Sequence, residues 1–228
     1  MPRETLDRKL HLLQQEILIL SSMIENAVTE SIEALKAHDL DSARCIIAAD
    51  KLINAKRFEM ENEIIITIAT VQPVMATDLR LVASILEVVS ELERMGDYAK
   101  GIAKVVLLIG KEPHIKPLID IPLMAELAVG MLHRSMDAFI NHDAEAASRI
   151  PEEDDRVDAL YNQVYRELVT IMFQRPSTID QANHLMWVAH NLERLADRVA
   201  NICERAIYVA TGQLQEMSVS DDETPVKL

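Results

Sequence analysis

A short charged motif occurs twice in this 228-residue chain, and its recurrence restricts the possible folds more than any other feature. The segment Leu-Glu-Arg-Met-Gly-Asp at residues 92–97 is repeated as Leu-Glu-Arg-Leu-Ala-Asp at residues 192–197, 100 positions later. A second pair, His38-Asp39 and His142-Asp143, recurs after 104 positions. Helix-stop signals, proline turns and the charged motif follow in the same order in both halves. This order predicts an internal structural repeat.

The composition indicates that each repeat is built from long helices. The chain contains only 5 Gly and 8 Pro, its aromatic content is 4%, and 49% of its residues are hydrophobic. An all-β sandwich or barrel needs many turns and many β-branched or aromatic residues, so this class is excluded. Near the N-terminus, apolar residues recur in alternating steps of four and three, which is the period of one helix face. These residues are Leu6, Leu10, Leu13, Ile17, Leu20, Ile24 and Ala27.

The stop signals divide the chain into six helices, three in each half. His38-Asp39 and Gln72-Pro73 separate the three helices of the first half, and Gly110 ends the third. His142-Asp143 and Arg175-Pro176 separate those of the second half. The predicted fold class is all-α, with two tandem related antiparallel three-helix bundles. Its predicted divisions are a first repeat over 1–110, a linker over 111–121, a second repeat over 122–212 and a disordered acidic tail over 213–228.

Two details of this plan concern single residues. Pro151 lies inside the predicted fifth helix and is expected to kink or restart it. Cys45 and Cys203 lie far apart within helical patterns, and both are expected to be small buried thiols.

The charge balance excludes two classes of partner. The chain has 23 Lys+Arg against 37 Asp+Glu, a formal net charge of −14, and its basic residues are scattered among acidic ones. Such a surface repels nucleic acid. No run reaches about 18 apolar residues, so no transmembrane helix and no direct membrane insertion are expected.

Both halves also contain acidic or amide residues spaced four positions apart. The first quartet is Asp50, Asn54, Glu93 and Asp97, and the second quartet is Asp154, Asp158, Glu193 and Asp197. Carboxylates four residues apart lie on one helix face and repel each other, so stability alone would favour Lys at the second position. In each half the two motifs are equally distant from the proline turn, which places them at the same height on neighbouring helices. The rotation of each helix, which decides whether the side chains face each other, stays open.

Two interpretations of the quartets stay open as well. Four carboxylate or carboxamide groups offer oxygen ligands that suit Fe, Mn, Mg or Zn, and a cation would relieve their repulsion. The alternative is a solvated acidic face balanced by Arg94, Arg194 and Arg198. The quartets contain no His, and the chain has no ExxH or HExxH motif. A ferritin-type di-iron bundle and a zinc protease therefore have no support.

The motifs together resemble the signature of the PhoU family of phosphate-uptake regulators. The resemblance includes Gln72-Pro73, Asp78-Leu79-Arg80 and the segment 92–97 in the first half. In the second half it includes the segment 192–197 with Asn201-Ile202. It extends over nearly the whole chain up to Gly212, and its motifs are strongest as a repeated pair.

The resemblance implies a cytoplasmic, six-helix regulator that represses phosphate-starvation signalling. The implied partners are the ATPase of a phosphate ABC transporter, a sensor histidine kinase and a second copy of the chain in a homodimer. The implied cofactors are divalent or trivalent metal ions, iron foremost, with zinc, manganese or magnesium as alternatives, bound by the two quartets. The chain departs from the family at Asn54, where Asp is usual, and at Tyr98 and Arg198, where His often follows the motif.

Two other functions stay open. The chain can be a PhoU-like regulator of another transporter or channel, or a metal-dependent hydrolase that uses the acidic clusters. No general base or cationic phosphate-binding pair accompanies the carboxylates, so the sequence favours a regulator over an enzyme.

Overall fold

The fold is all-α, as the sequence predicts, and the computed structural model describes residues 2–70 and 75–217. No strand occurs within these two ranges. The helices are α1 (Pro2–Ala37), α2 (Leu40–Thr70), α3 (Ala76–Ile109), α4 (Asp120–Asn141), α5 (Ala144–Arg149), α6 (Asp154–Gln174) and α7 (Ile179–Thr211).

The predicted fifth helix is divided at Pro151. A 3-10 turn, Ile150–Glu153, separates α5 from α6, and Pro151 lies in its first turn. Proline has no backbone N–H and its ring collides with the preceding helical turn, so an α-helix is interrupted there. The six predicted helices therefore correspond to seven α-helical segments. The restart is important for the site, because it places Asp154 at the beginning of α6.

The two His-Asp pairs end one helix and begin the next in the same way. His38 and His142 adopt left-handed conformations with φ of 52° and 53°. The Asp39 carboxylate accepts a hydrogen bond from the Ser42 backbone N–H at 3.0 Å, and Asp143 caps α5 in the same manner. The predicted stop-and-cap signals are therefore confirmed in both halves. The predicted turn at Gln72-Pro73 lies outside the described residues.

The two predicted bundles are present and share one hydrophobic core. Helices α1, α2 and α3 pack together in the first half, and α4, α6 and α7 pack together in the second. The halves meet mainly along α3 and α7, with a second contact between α1 and α4. Arg205 lies 2.7 Å from Glu87, and Arg198 lies 3.5 Å from Glu91. These pairs show that α3 and α7 run antiparallel, with the two charged motifs at similar heights.

The linker between the halves is fixed to both of them. Gly110 ends α3 with a φ of 66°. His114 Nε2 lies 2.9 Å from the Leu35 carbonyl oxygen, and the Ile115 N–H donates to Gln181 Oε1 at 2.7 Å. Helix α4 begins at Asp120, two residues before the predicted start of the second repeat.

Beyond α7 the chain turns back along the helix. Gly212 ends α7 in a left-handed conformation, and the Met217 N–H donates to Glu204 Oε1 at 2.7 Å. Residues 218–228, most of the predicted disordered tail, lie outside the described residues.

Two findings complete the fold. Within the described ranges, no helix has the length and hydropathy needed to cross a bilayer.

Cys203 is buried as predicted, but Cys45 is exposed, so the prediction for Cys45 is wrong. The helical pattern shows that Cys45 belongs to a helix, but it does not show which side of that helix faces solvent. In the structure, Cys45 lies on the exposed side of α2.

Candidate metal centre

Three residues of the second quartet form a compact cluster of carboxylates, and Glu193 is not among them. Asp154 and Asp158 come from the first two turns of α6, and Asp197 comes from the middle of α7. One carboxylate oxygen from each of these residues lies within 4.8 Å of the others. The helices are thus rotated so that the motifs face each other, which the sequence left open.

Asp154 is the most unusual member of the cluster. Its exposed fraction is 3%, and neither carboxylate oxygen finds a hydrogen-bond donor among the described residues. Burial, followed by the charges of Asp158, Asp197 and Glu193, raises the pKa of Asp154 to about 7. A buried carboxylate without a donor is costly, and nearby like charges increase the cost.

Glu193 and the surrounding bases complete this region. Glu193 lies one turn before Asp197 on α7, and burial together with its charge raises the pKa of Tyr161. His190 Nδ1 lies 3.2 Å from Glu193 Oε2, and Arg194 Nη1 lies 3.0 Å from Asp197 Oδ2. His190 and Arg194 thus contact Glu193 and Asp197, whereas the buried Asp154 oxygens have no hydrogen-bond donor among the described residues. An all-oxygen, negatively charged donor set suits a hard cation.

The first quartet occupies the equivalent positions of the first repeat but has different side-chain contacts. The Lys100 ammonium lies 2.7 Å from Asp50 Oδ2 and 3.3 Å from Asp97 Oδ1. The Asn54 side-chain amide also donates to Asp50 Oδ2, at 3.1 Å. The hydrogen bond with Asp50 is the largest of the effects that raise the pKa of Lys100 above its ordinary value, so this side chain is a cation.

Glu93, the fourth member of the first quartet, also has a basic partner. Arg57 Nη1 lies 3.0 Å from Glu93 Oε1, and Arg57 Nε donates to Glu61 Oε1 at 2.7 Å. Every carboxylate of the first quartet is thus paired with Lys100 or Arg57. The residues present do not fit a metal ion here unless Lys100 moves.

Sequence reasoning missed the part played by Lys100 and Arg57. Lys100 follows Asp97 by three positions and so lies on the same helix face, which was a readable signal. Its partner across the helix pair, Asp50, depended on helix rotation. Two of the departures from the family pattern, Tyr98 on α3 and Arg198 on α7, lie close enough to interact. Burial lowers the pKa of Arg198, but Tyr98 and the nearby carboxylates of Glu91 and Asp197 together raise it above its ordinary value.

The matches to known proteins follow the two repeats. The family profile described as "PhoU domain" matches residues 17–106 and 121–206, one match in each half. The chain belongs to the PhoU family. The resemblance inferred from the motifs is therefore confirmed, and each match contains one complete quartet of the PhoU repeat.

Individual relatives agree with the family match. A phosphate-specific transport system accessory protein PhoU homolog of Clostridium acetobutylicum is 34% identical over 218 residues, which cover 96% of this chain and 100% of that protein. The phosphate-specific transport system accessory protein PhoU of Escherichia coli is 33% identical over 205 residues, 90% of this chain and 85% of that protein. The crystal structure of the phosphate transport system regulatory protein PhoU from Streptococcus pneumoniae has a TM-score of 0.86 at 32% identity. It covers 93% of this chain and 100% of that one.

Proposed function

We propose that this chain is an accessory regulator of a phosphate-specific transport system and that it binds a hard metal cation at the second quartet. The regulatory part rests on family membership and on relatives described as accessory proteins of that system. The metal-binding part rests on Asp154, whose two buried oxygens lie in a cluster of carboxylates and find no donor among the described residues.

A cation at this position would remove an electrostatic cost of the metal-free fold. Asp154, Asp158, Glu193 and Asp197 are the residues proposed to hold it. Iron is the first candidate because the family resemblance implies it, and zinc, manganese and magnesium are alternatives. All four ligands are oxygen donors, which suits a hard cation. The ion would supply positive charge and would join α6 to α7. We propose no catalytic step for it.

The proposed partners are the ATPase of the transporter, a sensor histidine kinase and a second copy of the chain, and the proposed compartment is the cytoplasm. In this role the protein represses phosphate-starvation signalling when phosphate is plentiful. Deleting the gene should therefore raise the expression of phosphate-starvation genes in phosphate-rich medium, and a plasmid copy should restore repression. Unchanged expression after deletion would contradict the regulatory role.

The metal proposal is tested by metal analysis of purified protein. Wild type should retain metal after gel filtration in the presence of added Fe or Mn, and Asp154→Asn/Asp197→Asn should lose it. Asp155→Asn/Asp180→Asn is the matched control, because it removes two exposed carboxylates from the first turns of the same helices. If wild type and Asp154→Asn/Asp197→Asn both retain negligible metal, the metal proposal is wrong and the second quartet is only a group of acidic residues.

A further inference from the structure

We propose that Lys100 takes the place of a metal ion in the first quartet. Each repeat contains one quartet, but on this proposal only the second quartet binds a metal cation. The inference rests on the proposed cation site at the second quartet, but it concerns a different set of residues. It names Lys100 as the residue that decides which of the two quartets accepts a metal.

The contacts of Lys100 correspond to those expected of a bound cation. Its Nζ lies 2.7 Å from Asp50, on α2, and 3.3 Å from Asp97, on α3. Asp50 is 5% exposed, as deeply buried as its counterpart Asp154. Both oxygens of Asp154 lack a donor within the described ranges, whereas Asp50 Oδ2 has Lys100 and Asn54. The ammonium therefore stabilises a buried carboxylate that is uncompensated in the other repeat.

The aligned positions show which substitutions produce the difference. Asp50 and Asp97 correspond to Asp154 and Asp197 at the repeat offsets of 104 and 100. At the same offsets, Lys100 corresponds to Ala200, and Ala200 is buried. An alanine methyl group provides no charge, so the Lys100 ammonium has no counterpart at the equivalent position of the second repeat.

Two further substitutions act in the same direction. Arg57, which contacts Glu93, corresponds to Tyr161, and Asn54 corresponds to Asp158. The first quartet thus combines three carboxylates with contacts from Lys100 and Arg57, and the second combines four carboxylates with contacts from His190 and Arg194. A metal entering the first quartet would have to displace Lys100 and then bind an amide in place of one carboxylate. Both changes weaken binding of a hard cation.

The decisive experiment removes the Lys100 ammonium from the first quartet in a variant whose second quartet has lost two of its carboxylates. In the Asp154→Asn/Asp197→Asn background, binding of Mn²⁺ is measured by the EPR signal of the free ion. Adding Lys100→Ala and Asn54→Asp should create a site that binds Mn²⁺ about tenfold or more tightly than the background protein. Lys104→Ala is the matched control, because Lys104 is an exposed lysine one turn further along α3.

The outcomes separate this inference from the proposed function. No gain beyond that of Lys104→Ala would overturn it. It would also be overturned if Asp154→Asn/Asp197→Asn kept Mn²⁺ that Asp50→Asn/Asp97→Asn then removed. If wild type binds no Mn²⁺ but the variant with Lys100→Ala and Asn54→Asp does, the proposed metal function fails and the role of Lys100 stands.

Circular dichroism and a second variant address folding. Lys100→Met keeps an unbranched stem and removes only the charge, so it tests the ammonium with little loss of packing. If the Lys100 variants are unfolded without metal, refolding on addition of Mn²⁺ supports the inference. Failure to refold or to bind Mn²⁺ counts against it.

Discussion

Asp50 and Asp154 are equivalent residues that differ in what neutralises them. Both are buried at the same position of the repeat, and each faces a carboxylate from the charged motif. Lys100 contacts Asp50, whereas burial and neighbouring carboxylates raise the pKa of Asp154 to about 7. Asp50 is thus an ordinary ion-pair partner, whereas the equivalent Asp154 lowers the stability of the fold when it is charged.

Replacing Asp154 by Asn should stabilise the metal-free protein at neutral pH. The carboxyl group has a pKa of about 7 in the fold and an ordinary value of 3.8 when unfolded. Folding therefore binds a proton between these values, so wild type loses stability as pH rises to about 7, and Asn removes this loss. The gain in the free energy of unfolding, measured with denaturant and a chelator, should grow by on the order of 3 kcal/mol from pH 5 to pH 7.5.

The exposed neighbour Asp155 provides the control for this prediction. Asp155→Asn removes an exposed carboxylate from the first turn of α6 and leaves Asp154 in place. The pH dependence of its effect should be smaller, because the Asp155 charge is the smallest of the causes that raise the pKa of Asp154. A flat difference for Asp154→Asn would show that this carboxyl group titrates normally in the fold.

The two cysteines should differ in reactivity. Burial, then the charge of Glu204, raises the pKa of Cys203 to about 12, whereas Cys45 is exposed. Only the thiolate reacts, and it must be reachable. A disulfide-exchange reagent should therefore modify one thiol of the native chain and two thiols of the denatured chain. Labelling of Cys203 at the rate of Cys45 in native buffer would contradict this prediction.

At the scale of helices, the glycine at the end of α7 and one inside α3 should respond oppositely to alanine. Gly212 has a φ of 77°, and an added Cβ would lie 2.9 Å from Arg80 Nη1. Gly212→Ala should cost about 1–2 kcal/mol in the free energy of unfolding, mainly because alanine is strained in the left-handed region. Thermal and denaturant unfolding both report this change.

Gly101 is the matched comparison within the same pair of helices. Its added Cβ would meet the Asn191 side chain at 3.4 Å, an ordinary contact, and its backbone is helical. Gly101→Ala should therefore be neutral or stabilise the protein by up to about 1 kcal/mol, because alanine loses less backbone entropy. Equal losses in both variants would show that contacts, and not backbone conformation, dominate at Gly212.

Helix ends were predictable because their signals are local. The left-handed His38 and His142, their capping aspartates and the break at Pro151 each depend on neighbours within a few residues. Side-chain exposure was less predictable. Cys45 follows a helical pattern, yet only tertiary packing determines which side of α2 faces solvent.

At the scale of the whole molecule, the two repeats should unfold together. Their buried residues form one continuous core, and α3 packs along α7 for much of its length. A fluorophore on Cys45 reports the first half, and Trp187, the only Trp, reports the second. Both signals should change at the same denaturant concentration with the same slope.

Two separated transitions would contradict a shared core. The label itself is controlled by comparing the Trp187 transition of labelled and unlabelled protein. A shift between these two would mean that the fluorophore, and not the fold, sets the midpoint.

The arrangement of the candidate site was predictable in part, and its electrostatics were not. The distance from each proline turn places Asp154 beside Asp197, and the structure brings them together with Asp158. The contact of Lys100 with Asp50 crosses from α3 to α2 and depends on the rotation of both helices. Rotation is set by the packing of the entire core, which sequence spacing does not specify.

The ion pair between Lys100 and Asp50 also constrains how this chain can diverge. Losing Lys100 alone leaves a buried charge unpaired, and losing Asp50 alone leaves the ammonium held mainly by Asp97. A single substitution at either position therefore destabilises the protein, whereas paired substitutions are tolerated. Across a lineage, positions 50, 54 and 100 should change together, so that an alignment deep enough to measure covariation would show whether a relative has kept one cation site or two.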